Sequence, residues 1–143
     1  MNEFSSCLNK QKEMEKLFAS CSDADSRYQK IIELGKSLPP FDSSLKIPEN
    51  VVKGCQSVTY LHAFLQNGKV YFKISSDALI SAGLAALLVN VYNEEPPETI
   101  LKCPPLFLEN IGISKSLTPN RAQGLYSIHL RMKQEALKLM LNH

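Results

Sequence analysis

No basic run, no paired cysteines, no glycine-rich phosphate loop and no apolar stretch of bilayer length occurs in the 143 residues of this chain. Each absence removes a class of function. The 16 Lys and Arg are scattered among 14 Asp and Glu for a net charge of +2, which provides no stripe for a phosphate backbone, so no nucleic-acid partner is expected. Cysteines stand at 7, 21, 55 and 103 with no CxxC spacing, which signals neither a zinc ribbon nor a redox dithiol and suits free thiols in a reducing compartment. The six glycines are dispersed, with neither GxGxxG nor GxxxxGK, so nucleotide chemistry is not expected. The longest apolar stretch, "ALISAGLAALLVNVY", falls short of the roughly 20 residues a membrane helix needs. The opening "MNEFSSCLNK" lacks a charged segment followed by an apolar core. The expectation is a cytoplasmic protein with no membrane partner.

What is present reads as helices around a small antiparallel sheet, in one domain over residues 1–143. Hydrophobic residues at 44% and charged residues at 21% can fill a real core at this length. "EMEKLFAS" predicts a short helix. "SDADSRYQKIIELGKSL" predicts a second, with Ser22 and Asp25 at capping-box spacing and Pro39-Pro40 ending it. Nothing is periodic from Phe41 to Lys53, which reads as a loop leading to Gly54-Cys55. "SVTYLHAFLQNGKVYFKIS" is a hairpin turning at Asn67-Gly68, because both central residues of a type I′ turn need positive φ. Val58, Tyr60, His62 and Phe64 share one face of its first strand and Thr59, Leu61, Ala63 and Leu65 the other. Both faces are largely apolar, which predicts helices on more than one side. Asp77 stands where it can cap the following helix, which is apolar nearly all round and central to the core, with Gly83, Ala85 and Ala86 suited to close packing on the sheet. "PPETILKC" and "PPLFLENIGI" each predict a short helix started by proline, and Thr118-Pro119 opens a long one running almost to His143.

Among these elements Cys55, in "VVKGCQSVTY", draws attention because a glycine lets the backbone present it at a loop tip. A buried small hydrophobe, a metal ligand and a nucleophile are all open readings of one thiol. Cys7, Cys21 and Cys103 read as packing. His62 alternates within an apolar strand face, His129 lies on a helix and His143 is terminal, so no histidine is marked as a partner of the thiol. Glu94, Glu95 and Glu98 beside Pro96-Pro97 read as a solvated turn. Arg121 sits in the first turn of the last helix, where its charge opposes the macrodipole, and it is either a surface arginine or a residue beside the thiol.

Taken in order, "RYQKIIELGKSLPP", "GCQS", "SDALISAGLAALL" and "LTPNRAQGL" resemble the SufE-like sulfur-acceptor proteins of iron-sulfur cluster assembly, over most of the chain from Arg27 onward. That resemblance implies an α+β fold like that of the scaffold protein IscU, with residues 1–21 a variable N-terminal helical segment. It implies a persulfide acceptor at Cys55, with Gly54, Gln56, Ser57, Asp77 and Arg121 supporting the loop or meeting a partner. The implied partners are a SufS-type cysteine desulfurase and a downstream cluster-assembly scaffold, the chain itself being a monomer or weak homodimer. The chain needs no cofactor on this reading, because pyridoxal phosphate belongs to the desulfurase. Where the family carries Val-Trp after the cysteine block, this chain reads "VTY". An iron-sulfur scaffold in its own right and an independent cysteine-dependent hydrolase remain alternatives, the first needing further ligands and the second a histidine that reaches Cys55.

Overall fold

A computed structural model describes residues 3–142. His143, expected near the end of the last helix, and the first two residues of the opening segment lie outside them. The chain is α+β, in the order α1 (Ser5–Phe18), α2 (Ala24–Lys36), β1 (Thr59–Gln66), β2 (Lys69–Ser76), α3 (Leu79–Tyr92), α4 (Pro97–Lys102), α5 (Phe107–Asn110), α6 (Ile113–Ser116) and α7 (Pro119–Leu141). Among the described residues no helix is long and apolar enough to cross a membrane.

The first helix is longer than "EMEKLFAS" suggests, because Cys7, Gln11 and Phe18 recur on one turn-spaced face and are buried, while the polar residues between them face out. At α2 the cap is Asp23 rather than Ser22. Its carboxylate accepts from the Ser26 amide at 2.8 Å and the Ser26 hydroxyl is reached by the Asp23 amide, a reciprocal box one residue along from the predicted spacing.

The hairpin turns where expected, with Asn67 at φ 54° and Gly68 at φ 77°. Its register pairs Leu61 with Ile74, Ala63 with Phe72 and Leu65 with Val70 on the face that carries the core, where α3 and α7 also pack. The opposite face does not receive a second layer of helices as its apolar content predicts. Tyr60, His62, Phe64 and Tyr71 stay half-buried and cover one another: Phe64 stacks on Tyr71 at 5.3 Å, Lys73 lies over Phe64, and Phe41 from the preceding loop stacks on Tyr60. Aromatic rings, with Leu38 to Phe41 beside them, thus shield that face.

Helix α3 is the centre of the molecule, with Gly83 through Leu88, Val91 and Tyr92 buried. Gly83 does not pack on the sheet. It packs on α2, where a Cβ would overlap the Ile31 carbonyl, and on the facing side a Cβ at Gly35 would stand 2.7 Å from the Gly83 nitrogen. Two backbones touch at this crossing, which fixes α3 and therefore the end of it that faces the cysteine loop. "PPETILKC" starts its helix at proline as expected, but "PPLFLENIGI" gives a single turn, α5, that starts at Phe107 rather than at a proline, and Gly112 with φ 78° separates it from a further turn, α6. Thr118 caps α7 through the Arg121 amide, with Pro119 at the first helical position.

Candidate functional site

Cys55 lies in the six-residue loop between Val52 and Thr59, and the loop's two ends are sewn together. The Val52 amide donates to the Thr59 carbonyl at 2.8 Å, Val51 bridges to Tyr60, and Val52 and Thr59 are both buried. Asp77 holds the downstream end: its carboxylate accepts from the Val58 amide at 3.0 Å, and its own amide donates to the Val58 carbonyl at 3.2 Å. That corrects the expectation that Asp77 caps α3. Asp77 stands one residue past β2 and is still paired with Val58 across the hairpin; the capping position belongs to Ala78, and no side chain caps the helix.

The upstream end is held from α7. Arg131 donates from Nη1 to the Val51 carbonyl at 2.8 Å and from Nη2 to the Glu49 carbonyl, and its Nε bonds Glu135 at 3.1 Å. Between these anchors the loop lies against α7. Gly54 has φ 94°, and a Cβ there would collide with the Ser127 hydroxyl and stand 3.2 Å from the Ser127 Cβ. Both the backbone angle and the contact therefore require glycine. The Cys55 Sγ–H points to the Gly124 carbonyl, one turn before Ser127, at 3.7 Å.

The half-buried Cys55 opens on a cavity of about 390 Å³. Its walls come from the loop (Cys55, Gln56, Ser57), the first turn of α3 (Ala78 to Ser81) and the first turns of α7 (Asn120, Arg121, Gly124), with Leu84 and Ile128 behind. Burial pushes the Cys55 thiol above its ordinary value, while the Thr59 hydroxyl pulls it back in part. Beside the thiol four hydroxyls join: Thr59 to Ser76 at 3.2 Å, Ser76 to Ser57 at 3.2 Å, and Ser57 to Ser81 at 2.8 Å. Arg121 reaches the cavity wall, but its guanidinium lies over the Tyr28 ring, 5.5 Å from its centre, and its Nη1 is 3.5 Å from the Tyr28 hydroxyl. The structure thus gathers Cys55, Gln56, Ser57 and Arg121 around one cavity, with Gly54 and Asp77 supporting the loop from outside it.

Sequence reasoning misses Arg131, Thr59, Ser81 and Ser127. Arg131 stands four residues before Glu135, which marks a helix-face ion pair. Nothing in that spacing announces its reach to carbonyls about eighty positions earlier.

The other candidate groups lie elsewhere. His62 tilts against Phe64 on the hairpin's aromatic face, and His129 stacks on Tyr92 at 5.4 Å with its Nε2 unpartnered and burial lowering its pKa to about 4. Neither lines the Cys55 cavity. Glu95 is not solvated as its turn suggests: it is 2% exposed and bonds Lys10 at 2.6 Å and the Ser6 hydroxyl at 2.8 Å, because its backbone bridges to Val70 and draws it inward. Cys7 and Cys103 are buried together around the Gln11 amide, 3.8 and 3.6 Å away, and burial first, then Cys103, push the Cys7 thiol up to about 12. Among the described residues no three His, Cys, Asp or Glu side chains gather as a metal site.

Residues 12–136 match the family model described as SufE, Fe-S metabolism associated domain. An uncharacterized SufE-like protein of Synechocystis is 39% identical over 87% of this chain and 78% of its own length. SufE-like protein 1, chloroplastic/mitochondrial, of Arabidopsis thaliana is 37% identical over 91% of this chain, which spans 35% of that longer protein. Among solved structures, a hypothetical protein from Thermus thermophilus, determined in solution, is 28% identical with a TM-score of 0.76, covering 92% of this chain and 96% of its own.

Proposed function

The chain belongs to the SufE family, which is associated with Fe-S metabolism, and from that premise we propose that it is a sulfur carrier with Cys55 as the acceptor. The observation that supports this best is the placement of Cys55: a thiol on a loop pinned at both ends, opening on its own cavity, and accompanied there, among the described residues, by no other cysteine or histidine. In the proposed reaction the Cys55 thiolate attacks the outer sulfur of a persulfide on a SufS-type cysteine desulfurase. A new S–S bond forms, the partner's S–S bond breaks, and the partner's cysteine leaves as thiolate. One nucleophile is sufficient. The carbon–sulfur bond of L-cysteine is broken on the desulfurase, whose pyridoxal phosphate supplies that chemistry, and the carrier then hands the sulfur to a cluster-assembly scaffold.

The cavity gives the arriving sulfur a place beside the protein rather than in solvent, where a persulfide is open to reduction and oxidation. Exposed apolar residues at its edge, Leu79 at 59% and Val58 at 49%, together with the exposed Arg121, form a surface suited to a partner that brings its own cysteine to the loop. The location we infer is the cytoplasm or an equivalent reducing compartment, as free thiols require.

Desulfurase turnover tests this reading. Added in stoichiometric amounts, the chain should raise sulfide or alanine output in the presence of a terminal reductant, and Cys55→Ser should bind the desulfurase without raising it. Equal stimulation by the serine variant would remove Cys55 from the reaction.

A further inference from the structure

The four hydroxyls beside the thiol have a direction. Thr59 donates to Ser76, Ser76 donates to Ser57, and Ser57 donates to Ser81, at 3.2, 3.2 and 2.8 Å. Ser57 and Thr59 also stand 3.4 Å apart, a longer cross-contact in which either hydroxyl can donate, but each hydroxyl has one proton, and with Thr59, Ser76 and Ser57 each donating to the next, the proton on Ser81 remains. Among the described residues no acceptor is recorded for it. Ser81 stands in the first turn of α3, on the wall of the Cys55 cavity, with Ser57 beside it. Thr59, at the other end, is 0% exposed and closes the chain inside the protein, behind Ser57 and away from the cavity wall. The hydroxyl chain therefore starts in the protein interior and ends, at Ser57 and Ser81, on the wall of the cavity that holds the thiol.

We propose that Thr59, Ser76, Ser57 and Ser81 form the receptor for the anionic outer sulfur of a Cys55 persulfide, with Ser81 as its donor. This deepens the carrier reading and rests on it. In the resting thiol the sulfur carries a proton, directed at the Gly124 carbonyl 3.7 Å away. Conversion to Cys55–S–S⁻ removes that proton and adds a sulfur bearing the negative charge, which needs donors instead of an acceptor. The Gly124 carbonyl offers none. Ser81 offers the spare proton, and each hydroxyl behind it polarises the next, which strengthens the final bond. The first turn of α3, which no side chain caps, faces the same space and favours the same charge. The apolar remainder of the wall, Leu84 and Ile128, keeps bulk water from competing for the anion.

A chain built only to fasten the loop to α3 needs the Ser57–Ser81 bond, but it has no use for a proton left over on Ser81. The two roles separate experimentally. The protein is loaded with inorganic polysulfide, which places sulfane sulfur on the thiol without any desulfurase, and the pH dependence of persulfide alkylation is followed. Ser81→Ala should move the alkylation midpoint upward by about one pH unit, as expected for loss of one charge-assisted hydrogen bond, and Ser81→Thr should restore it. Thermal unfolding of both variants should stay near wild type, since the change lies at a partly exposed helix start tolerant of alanine. An unchanged persulfide midpoint in folded Ser81→Ala overturns the receptor. If instead the desulfurase leaves no sulfur on wild-type Cys55, the carrier reading fails while the measurement on chemically loaded protein still decides the receptor.

Discussion

Cys55 is half-buried and the Cys7–Cys103 pair is buried outright, and depth is the least of the differences between the two places. At Cys7 and Cys103 the sulfurs face each other and the Gln11 amide, whose oxygen accepts from the Phe107 amide and whose nitrogen donates to the Pro104 carbonyl at 3.0 Å. The space is full and the thiol is held neutral. At Cys55 the sulfur faces a cavity, a buried hydroxyl opposes the effect of burial, and the backbone that carries it is a loop fastened by Arg131 on one side and Asp77 on the other. On the proposed reading, what sets Cys55 apart is room for a second sulfur and hydroxyls on the wall of that room. Depth alone does not make a thiol reactive.

The largest effect expected from that contrast is in native labelling. Cys55 should react with a small alkylating reagent at least about a thousandfold faster than Cys7 and Cys103, which must wait for an opening of the core. Its rate should climb with pH through a midpoint above that of an ordinary thiol, because burial disfavours the thiolate. Peptide-resolved mass spectrometry reads both, and comparable labelling of Cys7 without denaturant would abolish the distinction.

Gly54→Ala attacks the loop and leaves the sealed pair alone. The alanine must adopt φ near 94° and displace Ser127, for a loss of about 1–3 kcal/mol in chemical denaturation. A loop that relaxes instead would bring Cys55 labelling up toward that of an unfolded peptide. Wild-type stability together with wild-type labelling would show that the glycine is not required.

Arg131→Gln should be milder. It removes the charge-assisted bonds to the Glu49 and Val51 carbonyls, for about 1–2 kcal/mol, and it should accelerate amide exchange at Val51 to Ser57 more than at Cys7. Uniform acceleration across the chain would make Arg131 a general support of α7. Smallest in stability is Arg121→Ala. Its side chain is exposed and lies over one ring, so folding should change by less than about 1 kcal/mol, while stimulation of a desulfurase at limiting carrier should fall. Unchanged stimulation would leave Arg121 a surface charge.

The hairpin, the capped α7 and the apolar α3 are legible in the sequence because each depends on local chemistry: two positive-φ residues at Asn67-Gly68, a threonine-proline start, and an unbroken apolar run. Asp77 misleads for the opposite reason. As a residue between a strand and a helix it fits either role, and only the arrival of Val58 from nineteen positions away decides between them. Gly83 is legible as a close contact but not as a contact with α2, since one small residue does not name its partner. The thiol loop is marked by its glycine and its family blocks. Its hydroxyl chain joins a loop, two strands and a helix, and no spacing along the sequence carries that arrangement.

The central claim is that sulfur comes to rest on Cys55, and intact-mass and peptide mass spectrometry after incubation with a desulfurase and L-cysteine test it most directly. The account predicts an adduct of about 32 Da, lost on reduction, confined to the peptide containing Cys55 and absent from Cys55→Ser. The same adduct on Cys7, Cys21 or Cys103, or on the Cys55→Ser protein, would contradict it.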